Sequence, residues 1–355
     1  MFLRTTFGLI AAASLSLAQR APIPGDPLEL ATGQIHAIEA HPDRTATFQL
    51  LSRARDNYGL RNADRAYDLK VTFTVDSGGQ TEHDGIWEME DIFDPGQGLH
   101  WTATSSDGYQ ITGVTASGKY YGASTGSYIP LRLQEARAAL FDPIPSAANV
   151  ARAPVRTSLA TFNGTPLTCI LLAGSKNTPA ASPARRWDET EECVDPKSGM
   201  LMVHSQAPGR YYAYDYTNAP QLGGYLLPRK VTVTEAGRIV SEISVDSLTQ
   251  PPAVDPSLFV PTDAMKAMGP PVAMGGAEKI FRSSGSAAAT RTVCIFGVVT
   301  PSGQIVEAHS LQPSDPNSQS ALADAKQLTF PHVTMPGSRP RQHFIFVFET
   351  FPSPQ

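Results

Sequence analysis

Hydrophobic and polar residues alternate with a period of two along most of this chain. Tyr67, Leu69, Val71, Phe73 and Val75 share one side of an extended segment, opposite Asp68, Lys70, Thr72 and Thr74. Such alternation predicts a strand with one buried face and one wet face. "DSGGQ", "DPGQG", "SSDG" and "TASGK" then punctuate the chain at short intervals, which predicts antiparallel hairpins rather than crossovers. The period lengthens in few places. Residues 41–59 carry Phe48, Leu51, Ala54 and Tyr58 at helical spacing, with Pro42 suited to the first turn and Gly59 to the stop. "LRLQEARAALF" (131–141) predicts a second helix.

The strand rhythm resumes at "VRTSLATF" and "TPLTCILLA" and continues through "RYYAYDY" to "RIVSEISVDSL". Residues 34–262 are therefore expected to form one curved antiparallel half-barrel of about nine to eleven strands, curled over one or two helices. Residues 263–286 are rich in Pro, Met and Gly and have no sustained period, so they are expected to be a linker. Beyond it, Val293, Ile295, Gly297 and Val299 alternate with Cys294, Phe296 and Val298, and "TPSG" turns the chain. Asp315 and Pro316 are expected to start a helix striped with Ala321, Leu322, Ala325 and Leu328. "RQHFIFVFETF" closes this unit as a long strand. The expected fold class is mainly β with an α+β part: the half-barrel, then a small ββαβ domain over 287–351.

Composition agrees with a turn-rich β protein: of 355 residues, 30 are Pro and 28 Gly, and only 17% are charged. The formal charge of -5, without a basic patch, argues against a nucleic-acid partner. "MFLRTT" followed by "FGLIAAASLSLA" has the charge, apolar run and small residues of an export signal, expected to be cleaved near Ala18. The run is too short to span a bilayer, so residues 1–18 are expected to be removed and the mature chain to lie in the periplasm without a transmembrane helix. Cys169 and Cys193 are placed to close one disulfide loop in that compartment, with Cys294 left over. The histidines are scattered singly, so no metal or other cofactor is expected.

No catalytic constellation emerges from the pattern. "GASTG" (122–126) matches the G-x-S-x-G elbow of serine hydrolases around Ser124, but no buried strand precedes it. A serine hydrolase is thus only a minor alternative to a non-enzymatic protein. The carboxylates of "WDETEEC" and "WEMED" fall within strand patterns and are expected on solvated faces. Tyr212, Tyr214 and Tyr216 share one strand face, which suits a cross-strand ladder or the lining of a ligand cavity.

Two resemblances follow from these segments. "ECVDPKSGMLMVHS", the tyrosine-rich strand, "YLLPRKVTVTEAGRIVSEISVDSL" and "VDPSLFVP", with the early helix and "YDLKVTFTV", resemble LolA-like domains over 34–262. That resemblance implies an exported half-barrel that binds lipid or lipoprotein. "VCIFGVVTPSGQIVEAHSLQPSDP" with "RQHFIFVFETF" resembles the TonB C-terminal domain over 287–351. It implies docking of an envelope protein by strand addition at an exposed edge, here Gln342, His343, Phe344, Ile345, Phe346, Val347 and Phe348. The family's tyrosine-proline lead-in is absent, Leu328 stands where an aromatic is common, and neither a spanning helix nor a long proline-rich spacer occurs. Docking, rather than force transduction, is the resulting expectation, with a lipid or lipoprotein carrier as the alternative.

Overall fold

The structure is a computed structural model that describes residues 38–58, 60, 63–81, 83–146, 150, 151, 153–173, 185–268, 278–283, 290–331 and 340–352. The proposed export segment 1–18 lies outside the described residues. The larger part of the described chain is built on one antiparallel sheet of 13 strands, open and half-barrel-like. Its order is β15 (Lys266–Met268), β5 (Lys119–Ser124), β4 (Gln110–Ala116), β3 (Gly98–Ser105), β2 (Gly85–Asp94), β1 (Tyr67–Val75), β14 (Arg238–Thr249), β13 (Lys230–Glu235), β10 (Arg210–Asp215), β9 (Leu201–Ala207), β8 (Glu189–Val194), β7 (Thr165–Ala173) and β6 (Val155–Phe162). A ribbon of β11 (Gln221–Leu222) and β12 (Tyr225–Leu226) stands beside it.

Two helices cover one face of this sheet. α1 (Arg44–Asn57) begins where Asp43 Oδ1 accepts from Thr45 N at 2.9 Å and Ala46 N at 3.1 Å, a cap that contributes about 1 kcal/mol. It buries Leu51 and Ala54 against the sheet. α2 (Leu131–Phe141) is buried almost all round. The alternating set Tyr67, Leu69, Val71, Phe73 and Val75 faces these helices in one hydrophobic core, and its polar partners face away.

A second sheet of four strands has the order β16 (Glu278–Ser283), β19 (His343–Pro352), β17 (Thr290–Val299), β18 (Ile305–Ser310). With α3 (Ser318–Lys326) between β18 and β19 it realises the expected ββαβ succession, and β16 adds a strand parallel to β19. One face carries Val293, Ile295, Ile345 and Val347 against Ala321 and Ala325 of α3. The opposite face, with Cys294, Phe296, Phe344, Phe346 and Phe348, packs on Leu131 and Ala207 of the large sheet's side. Approach is close at Gly209, whose φ is +88°: a Cβ there would lie 2.9 Å from the Leu311 Cβ.

Several expectations are corrected here. The large sheet exceeds the expected strand number partly because Lys266–Met268, in the expected linker, pairs with β5, while Glu278–Ser283 of the same segment pairs with β19 in the small sheet. α3 starts at Ser318 rather than beside Pro316, and Asp315 instead accepts from Asn317 N just before it. Most consequential, Gln342 to Phe348 do not form an exposed edge. β17 pairs with β19 on one side and β16 on the other from Ile345 onward, Gln342 N is taken by Ile129 O, and Phe344 to Phe348 are all buried. The local pattern could not reveal this, because β16 lies in a segment without period.

Candidate ligand cleft and the buried ion network

A cleft opens between α2 and strands β3, β4, β5 and β15. Leu99, Trp101, Val114, Tyr120, Tyr121, Ile129, Leu133 and Met268 supply its apolar and aromatic lining. Thr115, Gln134, Arg137 and Arg341 bring the polar groups. Its cavity volume is about 40 Å³, and it is partly open to solvent. That is room for a few waters or methylene groups.

The walls of the cleft are held by polar contacts behind them. Arg137 meets Asp91 with two bonds, 2.6 Å and 2.7 Å, and its guanidinium lies 4.0 Å from the centre of the Trp101 ring. Asp91, from "WEMED", is therefore buried and paired rather than solvated. Gly113, opposite Trp101 on β4, makes room for the indole: a Cβ there would fall 2.1 Å from Nε1.

Between the two sheets runs a network of buried charge. Arg132 of α2 reaches Glu135, Glu235 and Glu307, the last from β18 of the small sheet. Arg210 of β10 pairs with Glu135 at 2.7 Å and Glu235 at 2.9 Å, and lies 4.5 Å from the Phe296 ring centre. Burial alone would raise the Glu235 pKa, but Arg132 and Arg210 outweigh it and hold the carboxyl well below its ordinary value. Burial opposes charge on Arg132 as well, and Glu235, Glu307 and Glu135 overcome it, raising its pKa. Glu235, Glu307 and His309 stand close enough together to suggest a cation site, but Arg132 already occupies the space between the two carboxylates.

A second network lies under the small sheet. Arg156 meets Glu189 at 2.7 Å and Arg185 meets Glu191 at 2.8 Å, while Lys279 of β16 donates to the carbonyls of Asp188 and Gln206. Burial and the neighbouring Arg185 pull the Lys279 pKa down to about 8. Glu189, Glu191 and Glu192 were expected on a wet face; both faces of β8 are covered, so all three are buried and paired.

The remaining sequence candidates fall as follows. Cys169 and Cys193 are bonded across neighbouring strands, and Cys294 is buried and free. Tyr212 and Tyr214 are sealed in the core and do not line the cleft; Tyr212 donates to Glu135 at 3.0 Å, and Tyr216 bonds the Tyr58 hydroxyl. Ser124 sits on an antiparallel strand opposite Ile111 and donates to Gly126 O at 2.9 Å, so the strand-to-helix elbow of a serine nucleophile is not formed. A chain of His83, Asp107 and Ser105 also lacks that logic, because the serine bonds the aspartate rather than the imidazole. Sequence reading missed the two arginines of the central network. "LRLQEARAALF" carries charges on two opposite sides of a helix, Arg132 with Glu135 and then Arg137, and that pattern was the available sign that α2 is buried among partners.

No protein-family model matches the sequence, and no curated protein matches it. Among solved structures, the chain is similar to an outer membrane lipoprotein-sorting protein domain from Vibrio parahaemolyticus, with 10% identity and a TM-score of 0.35 over 59% of this chain and 95% of that one. A LolA superfamily protein from Nitrosomonas europaea gives 8% identity and 0.35 over 60% and 97%. A DUF1329 family protein from Desulfovibrio piger gives 8% and 0.35 over 61% and 96%. The fold class rests on the chain's own strand order, not on likenesses of this size.

Proposed function

We propose that the protein is a non-catalytic binding or carrier protein that works outside the cytoplasm and holds a short apolar group in the cleft beside α2. The lining of that cleft carries the proposal: aromatic and aliphatic side chains converge from α2 and four strands, with a few polar groups among them, as in ligand sites. The ligand class is an amphiphile, such as the end of a lipid acyl chain or of a lipoprotein's anchor. The cavity of about 40 Å³ admits only part of such a chain, so a longer one requires the wall to move. Export is supported by the charged, apolar and small-residue order of residues 1–18. Among the described residues, no helix is long and apolar enough to cross a membrane. The division into two domains is supported by the change of sheet between Met268 and Glu278.

A second reading, docking of an envelope protein by strand addition, is favoured by one observation. β16 is one of the two outer strands of the small sheet among the described residues, and Phe281 on it is 59% exposed. Native mass spectrometry of the full chain, purified without detergent, tests the first reading. The expected spectrum contains an adduct of amphiphile mass, or acquires one on adding dodecanoate. A chain that stays empty under both conditions contradicts it.

A further inference from the structure

α2 begins without a cap of its own. Pro130 stands at the cap position, and no side chain there receives the first amide groups. The missing acceptor comes from 211 positions away: Leu131 N donates to Gln342 Oε1 at 2.9 Å. Three more bonds fasten the same point, since Ile129 N donates to Pro340 O at 3.0 Å, Gln342 N to Ile129 O at 3.1 Å, and Gln134 Nε2 to Gln342 O at 3.0 Å. Arg132 then pairs with Glu307 of β18. Between the hooks, Arg341 lines the cleft, as do Ile129, Leu133 and Gln134 of the hooked segment.

We propose that the C-terminal sheet regulates the cleft: how it seats on the N-terminus of α2 sets the position of one cleft wall, so ligand occupancy and seating are coupled. The inference rests on the binding reading given above. The physical basis is that α2 is shared. It carries the cap and ion pair from the small sheet at one end and lines the cleft with Leu133 in that same turn and with Arg137 and Ala138 over the next two. Helix shifts of about 1 to 2 Å are ordinary at packed interfaces. In a cavity of about 40 Å³ such a shift decides whether a chain fits. Coupling of this kind is reciprocal, so the ligand must tighten the seat by the factor with which the seat tightens the ligand.

The test uses the full chain and a dansyl-labelled undecanoic acid as probe, comparing wild type with Gln342→Ala and Glu307→Gln. Each variant is expected to weaken probe binding by at least about fivefold. Ala325→Gly, which weakens α3 on the far face of the small sheet, is expected to leave affinity unchanged. Saturating probe is expected to slow amide exchange in 305–310 of the wild-type chain, a readout that survives if a variant fails to fold. Equal affinity in all variants with unchanged exchange overturns the coupling and leaves the binding reading standing. A wild-type chain that takes up no probe overturns both.

Discussion

Arg132 on α2 holds Glu235 of the large sheet at 3.0 Å and also grips Glu307 of the small sheet, so one guanidinium joins the two halves of the molecule. The surrounding network sets two guanidiniums, Arg132 and Arg210, against the three carboxylates of Glu135, Glu235 and Glu307. Removing a positive member and removing a negative one are therefore unequal. Arg132→Met leaves a single guanidinium for three buried carboxylates and is expected to cost about 3 to 5 kcal/mol. Glu307→Gln leaves the charges balanced and is expected to cost about 1 to 2 kcal/mol. Urea unfolding of the two variants checks the order; equal losses would mean that the network is not organised by charge.

Acid should act through Glu235. Its pKa is depressed in the folded chain below the 4.5 of a free glutamate, because Arg132 and Arg210 overcome the effect of burial. The unfolded chain consequently takes up the proton first on acidification, and the stability due to this carboxylate is complete above 4.5 and lost as pH falls through the depressed value. The difference in unfolding free energy between wild type and Glu235→Gln should thus be constant near neutrality and shrink below pH 4.5. Other buried acids, such as Glu191 and Glu192, occur in both chains and drop out of the difference.

Gly113→Ala tests the cleft wall from behind. A methyl group there would lie 2.1 Å from Trp101 Nε1 and 2.4 Å from Cε2, so the indole must leave its place over Arg137. The expected loss is about 1 to 3 kcal/mol, the usual range for overpacking. Of the three fluorotryptophan resonances in a 19F spectrum, that of Trp101 should move while those of Trp87 and Trp187 stay.

Local pattern disclosed what local forces decide. Tyr67 to Val75 is delimited in the sequence by its own period of two, and Leu131 to Phe141 by the break it makes in the strand pattern; both have those bounds in the structure. What remained hidden depends on distant partners. Glu189 and Glu191 read as solvated because an alternating strand does not announce what lies on its second face, here Arg156, Arg185 and the small sheet. Phe344, Phe346 and Phe348 read as an exposed docking strand because β16, a strand without a clear period, covers the edge, and Leu131 and Ala207 cover the face. Trp101 and Arg137 gave no sign of a cleft, since they meet only when α2 crosses β3.

Function on this reading resides in the cleft beside α2, which binds an apolar chain. The decisive experiment is a titration of the full chain with dansyl-labelled undecanoic acid, repeated with Thr115→Trp, which fills the cleft from its β4 wall. Saturable, blue-shifted emission that dodecanoate displaces is expected in the wild type and is expected to be lost in the filled variant, with the melting temperature little changed. Equal binding by both chains, or by neither, would contradict this reading.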